Sequence, residues 1–181
     1  QVKGAKQTEN ITYVAQWTHE GTQIQLEVKK DGAAVPAKDY VEVGNYGDHT
    51  QGFNESYDTE TLKYTIDYTY ESLNCADISV TVKVPVGYEA SVSSNSNETT
   101  TSEDGSESAT YRVIHEDGSN VWNLDNVSGG SLITVELVQK TIEVSYEVYP
   151  AAGGSVDNES DSVKVMTGEG VEGSTATPNA G

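Results

Sequence analysis

Cysteine is all but missing from this chain. Cys75 is the only one, so no disulfide can close within it, and a structural zinc site, which needs several Cys and His ligands, has nothing to draw on. Cys75 lies in Leu73-Asn-Cys-Ala-Asp77 with no following Gln to form a thioester, and it reads as a buried, inert thiol. Cations are scarce as well. Ten Lys and Arg face 29 Asp and Glu, for a net charge of −19 and a pI near 4.2. That balance argues against nucleic acid and anionic membrane surfaces as partners, because both are held by clustered Lys and Arg. Long apolar runs are missing too. None approaches the roughly 18 residues of a membrane-spanning helix, so no direct membrane insertion is expected of this segment. Finally, no stretch sustains an apolar period of 3.6 residues, which leaves helices out of the expected fold.

What the chain does have is alternation. Its hydrophobic fraction, 35%, falls below the about 45–50% of an average soluble protein, as in modules built from short strands and polar turns. Val, Ile, Leu and Tyr nonetheless recur at period 2, which is not a disordered composition. Thr22-Gln-Ile-Gln-Leu-Glu-Val-Lys29 places Ile24, Leu26 and Val28 on one face, and Lys30-Asp-Gly32 then turns the chain as in a hairpin. Tyr40-Val-Glu-Val43 is a short strand, and Gly44 to Thr61 reads as a long polar loop holding His49, Phe53 and Tyr57. Leu62 to Tyr70 is the clearest strand, with Leu62, Tyr64, Ile66, Tyr68 and Tyr70 on one face. Ile78 to Val84 repeats the pattern until Pro85 and Gly87 break it. Ser91 to Ser108 is too polar to bury and reads as a surface loop or a long flexible hairpin tip. Ala109 to His115, a turn at Glu116-Asp-Gly118, then Val121 to Leu124 and Leu132 to Val138 complete a region, residues 20–140, of the size one β-sandwich requires.

Catalytic chemistry finds no foothold in these residues. His19, His49 and His115 lie in separate segments, none with a Ser, Cys or carboxylate in triad order. A glycosidase needs two positioned carboxylates, and with 29 acids some pair is always on offer, so that signal carries no information. Calcium would need oxygen ligands at regular spacing. Glu116-Asp-Gly-Ser-Asn120 is better read as a hairpin turn in which Gly supplies positive φ, leaving Asp117 and Asn120 as the least unsuitable ligands. No cofactor is expected. Aromatic rings are the stronger lead, because an exposed ring can cover the apolar face of a sugar. The stripe Tyr64, Tyr68, Tyr70 shares its face with Leu62 and Ile66 and is expected in the core, as is Trp122 beside Leu124. Tyr46, Phe53 and Tyr57 in the long loop are freer to meet a ligand.

The two ends of the chain carry recognisable patterns. Ile142-Glu-Val-Ser-Tyr-Glu-Val-Tyr149 alternates as a half-buried strand, Pro150 and Gly153-Gly154 end it, Ser162 to Met166 offers a second strand, and Gly168 to Gly181 runs on as turn and loop. This order, closing in Gly-Ser-Thr-Ala-Thr-Pro-Asn-Ala-Gly181, resembles the first part of the InlB-type B-repeats of bacterial surface proteins. In that family an aromatic strand ending in Gly-Trp follows, so residues 141–181 are expected to begin a truncated repeat. Near the other end, Ile11, Tyr13, Ala15 and Trp17 alternate, and Tyr13-Val-Ala-Gln-Trp17 resembles the closing strand of the Listeria-Bacteroides type of the same repeat. Residues 1–19 are therefore expected to close a preceding repeat. Between them, Ala76 to Tyr88, Val121 to Val127 and Gly130 to Leu137 are similar to the DUF11-like sandwich repeats of prokaryotic surface proteins. That resemblance implies an Ig-like spacer with no catalytic residues.

The expected fold is all-β, an Ig-like antiparallel β-sandwich followed by an incomplete small β-rich repeat. The expected role is a non-enzymatic stalk or spacer segment of a modular bacterial cell-surface adhesin, extracellular and either secreted or attached to the cell wall. Its partners are then the neighbouring β-repeat modules of the same chain and, through the full-length protein, a host or environmental glycan or protein. The alternative is a carbohydrate-binding module of an adhesin or of an extracellular glycan-degrading enzyme, working through Tyr46, Phe53 and Tyr57.

Overall fold

The computed structural model describes residues 22–47, 50–70, 73–96, 99–102, 104–165 and 173–179. The alternating segment around Ile11 to Trp17 lies outside them, as do His19 and His49. In chain order the elements are β1 (Thr22–Lys30), β2 (Ala33–Val35), the one-turn helix α1 (Ala37–Tyr40), β3 (Val41–Asn45), β4 (Thr50–Tyr57) and β5 (Tyr64–Tyr70). Next come β6 (Cys75–Val82), β7 (Tyr88–Ser94), β8 (Thr99–Thr101), β9 (Ser108–Thr110), β10 (Arg112–His115), β11 (Val121–Ser128) and β12 (Leu132–Gln139). The last four strands are β13 (Thr141–Ser145), β14 (Gly154–Val156), β15 (Ser160–Lys164) and β16 (Ala176–Pro178).

Two sheets face each other as an all-β sandwich. One has the order β4-β5-β1-β12-β7, with β2 also beside β1, and the other the order β10-β11-β6-β3. The period-2 pattern explains the layers. Ile24, Leu26 and Val28 of β1, Ile66 and Tyr68 of β5, and Ile133, Val135 and Leu137 of β12 turn inward from the first sheet. Val41 of β3, Ile78, Val80 and Val82 of β6, and Trp122, Leu124 and Val127 of β11 meet them from the second. Tyr68 and Trp122 are core residues, as expected of them, and Cys75 is a buried free thiol.

The pairing of β1 with β12 is parallel, running from Gln25 opposite Leu132 to Lys30 opposite Leu137, and among the described strands all other pairs are antiparallel. A 2.9 Å bond from Gln25 N–H to Ser131 O opens this ladder and one of 2.9 Å from Asp31 N–H to Leu137 O closes it. The first and last strands of the sandwich thus start at one pole and finish at the other.

Three expectations need correction. The long polar loop from Gly44 to Thr61 is largely strand, since β4 pairs with β5 through Tyr57 opposite Tyr64. A bulge between Gln51 and Asn54, with Gly52 at φ +60°, interrupts its alternation. The stretch from Ser91 to Ser108, for which a surface loop or a hairpin tip was expected, does hold a hairpin, of β8 and β9, but its first residues belong to β7. At its tip the Asp104 carboxylate accepts the Ser106 hydroxyl, the Ser106 N–H and the Ser102 hydroxyl, which holds its pKa at about 2. Towards the C-terminus, the strand expected from Ile142 to Tyr149 ends at Ser145, and part of the supposed final loop forms β16, which pairs with β14.

β13 pairs with β15, and Ile142, Val144 and Tyr146 lie on one side of them, half-buried except for the more exposed Ile142. Among the described residues from 141 onward none is buried. A segment this short with no core has little stability of its own. Hydrogen exchange should therefore show β13 to β16 losing amide protection well before β1, β6, β11 and β12. Leu26 is 0% exposed, and Leu26→Ala should cost about 3 kcal/mol, read as a lower urea midpoint at unchanged slope. A cost under about 1 kcal/mol would mean that the inner faces are not close-packed.

Candidate functional site

The three ring residues singled out for ligand contact are not brought together. Phe53 and Tyr57 sit on β4 and pack against the core. Tyr57 meets Tyr64 edge to face, centroids 5.6 Å apart, and Lys38 Nζ lies 5.5 Å from its ring. Both residues are half-buried. Tyr46 follows β3 on the other sheet, 49% exposed, with its N–H donating to Asp77 O. Asp117 and Asn120 lie in the turn between β10 and β11, where Ser119 N–H bonds Glu116 O and Asn120 O accepts Val82 N–H. Among the described residues no group of three His, Cys, Asp or Glu is placed to hold a metal ion. His115 lies flat on Trp122, with centroids 4.1 Å apart and an interplanar angle of 3°.

A polar constellation that the sequence concealed braces the outer side of the second sheet. β11 bulges between Leu124 and Val127, where Asn126 takes φ +58°. Asn126 N–H donates to Asp77 Oδ1 at 2.9 Å, and its side-chain amide donates to Thr110 O at 3.0 Å. Arg112 Nε and Nη2 both bond Asp125 Oδ2 at 2.8 Å. A Cβ on Gly47 would collide with the Asp77 carboxylate, so that residue has to be glycine or the loop must move. Among the described residues Asn123 Oδ1 and Asp125 Oδ1 find no hydrogen-bond partner, and both atoms are buried.

Beyond the sandwich, a shallow polar depression of about 640 Å³ is lined by Asp157, Asn158, Asp161 and Gly173 to Thr175. These groups serve one another. Asp157 Oδ1 accepts Thr175 N–H, and Asp161 accepts the Asn158 amide and the Tyr146 hydroxyl. No ring lines the depression, and its bonds tie residues 157–161 to 173–175.

The best-organised polar junction lies at the pole where the sandwich passes into the next strands. Asp31, at φ +50° in the Asp31-Gly32 turn, joins the ends of three strands. Its Oδ1 accepts Gln139 N–H at 3.1 Å and its Oδ2 accepts the Tyr88 hydroxyl at 2.9 Å. Lys30 Nζ lies 4.5 Å from the centre of the same Tyr88 ring. Lys140 alone separates β12 from β13. Its N–H donates to Gly87 O and its carbonyl accepts Val165 N–H, both at 2.8 Å, while the Gln139 amide donates to Val165 O at 2.9 Å. A joint of one residue, bonded to both sides, leaves little freedom to bend.

No protein-family model matches this chain, and no curated protein or solved structure does either.

The Gln139 N–H and the Tyr88 hydroxyl depress the Asp31 pKa below the ordinary carboxylate value. The unfolded chain then binds this proton first, so the contribution is present above the unfolded pKa of about 3.9 and is lost as pH falls through the lower folded value. Asp31→Asn should lower the unfolding midpoint at pH 7, and the gap between variant and wild type should close at the acid end. A gap that stays constant down to that range would remove the carboxylate from the joint.

Proposed function

We propose that this chain is a non-enzymatic spacer segment of a modular bacterial cell-surface protein, extracellular and secreted or wall-attached, with the sandwich strung between repeat modules. The observation that carries this reading is the parallel β1–β12 pair. It takes the chain in at one pole of the sandwich and out at the other, which suits a module that adds length in series. The one-residue joint at Lys140 supports it, because tightly coupled modules project what lies beyond them better than loosely linked ones. The resemblance of residues 141–181 to InlB-type B-repeats supports the choice of company, and the partners are then the adjoining β-modules of the same polypeptide. A net charge of −19 keeps such an array soluble and its members apart.

The glycan-binding reading retains the exposed rings of Tyr149, 98% exposed, and Tyr46, 49% exposed. A free ring without convergent polar partners is a weak sugar platform. The full chain immobilised over a glycan array should show no saturable binding. Saturable binding that is lost with Tyr149→Ala or Tyr46→Ala would replace the spacer reading with the lectin-like one.

A further inference from the structure

We infer that the β1–β12 pair is a load-bearing shear clamp, built to resist tension applied along the chain. Tension on β1 draws Thr22 towards one pole, and tension on β12 draws Gln139 towards the other. The two strands are neighbours and run in the same direction, so the pull slides one along the other. Inter-strand hydrogen bonds lie across the strands. No rung can open before the rest, and the ladder from Gln25–Leu132 to Lys30–Leu137 takes the load together. A hairpin pulled at its open end parts instead one rung at a time.

The surroundings reinforce this geometry. Neither strand lies at an edge, since β5 and β2 flank β1 and β7 flanks β12. Side chains tie the pair across its outer face. Glu27 Oε1 accepts the Thr134 hydroxyl at 3.4 Å and pairs with Lys29 at 3.0 Å, while Oε2 pairs with Lys63 at 3.0 Å. The Asp31 carboxylate holds Gln139 and Tyr88 at the far end. On the inner face Leu26, Ile133, Val135 and Leu137 are 0% exposed. A slip by one residue would turn these side chains to solvent, so no adjacent register offers a resting place. With Cys75 the only cysteine, no disulfide within the chain shares the load. The clamp gives the spacer reading a mechanical purpose, but its mechanics stand without that reading.

Single-molecule force spectroscopy on the full chain, stretched through its two ends, tests the clamp. Residues 141–179 should extend first at low force, and the sandwich should then break in one step that releases about 400 Å of chain. Handles moved to Ala33→Cys and Lys140→Cys pull the same sandwich from one pole, with Cys75 buried. That geometry peels β12 from β1, and the rupture force should fall at least about twofold, because forced unfolding follows the barrier along the pulled direction. In the alternating ladder bracketed by Gln25 and Asp31, the Lys29 N–H faces β12. Lys29→Pro should therefore weaken the end-to-end geometry and spare the same-pole one. Equal forces in the two geometries, or a sandwich that yields no later than residues 141–179, overturn the clamp, and this comparison decides the matter even if Lys29→Pro does not fold. A weak ladder would leave the spacer reading standing, whereas saturable glycan binding would remove that reading and leave the clamp.

Discussion

The parallel ladder between β1 and β12 constrains nearly everything else in this molecule. A sandwich whose first and last strands paired antiparallel would take its chain in and let it out at the same pole, and would hang from a string as a bead. Here the two strands share a direction, and the polypeptide must cross the sandwich between its ends. The remaining strands are arranged around that fact. β5 and β7 shield the central pair from either side, and the second sheet covers its inner face with Ile78, Val80 and Leu124. The Asp31 carboxylate acts where β12 leaves, tying it to β1 and β7 just before Lys140 hands the chain to β13.

Much of the sandwich was legible in the sequence because its central strands separate their two faces cleanly. In β1 the inward Ile24, Leu26 and Val28 alternate with Gln23, Gln25 and Glu27, and β5, β12 and the second half of β6 follow the same rule. β4 was not legible, for a physical reason. An edge strand has a neighbour on one side only and a half-packed inner face, so it tolerates Thr50-Gln-Gly-Phe-Asn-Glu-Ser-Tyr57, and its bulge at Gly52 breaks the period. β8 and β9 carry almost nothing but Ser, Thr and Ala, and are set by the turn that Asp104 stabilises. Alternation also announces a face and not a neighbour. Nothing local to Thr22–Lys30 says that its partner lies more than a hundred residues away or that the two run parallel.

The surroundings of the candidate residues were misjudged for a related reason. Tyr46, Phe53 and Tyr57 looked available because the segment holding them looked like a loop, and once β4 forms, Phe53 and Tyr57 are drawn onto the core. The polar groups that matter structurally were hidden by distance along the chain. Asp77 meets Asn126, and Asp31 meets both Tyr88 and Gln139, through contacts between segments that share no local pattern. The only local hint was the Asp31-Gly32 pair, legible as a turn but not as a staple. Cys75 and Trp122 were read correctly because burial follows from the strand patterns around them.

Charge and topology meet at the sheet edges. A two-layer sandwich leaves four edge strands, here β4, β7, β10 and β3, each a row of backbone groups able to recruit another chain. Along β10, Val113 and Ile114 are 38% and 42% exposed, which makes that edge the most adhesive of the four. Each of the four edges carries acids on it or beside it. Glu116 and Asp117 follow β10 in the turn, Glu89 stands on β7, Glu55 on β4 and Glu42 on β3. In a chain of net charge −19, acidic edges approaching one another within a Debye length of about 8 Å repel. The same acidity would oppose side-by-side pairing of these edges. The hydrogen bonds of the central ladder and the joint at Lys140 run the other way, holding the chain together along its length. An acidic surface around a parallel ladder that runs along the chain would suit the spacer role proposed above.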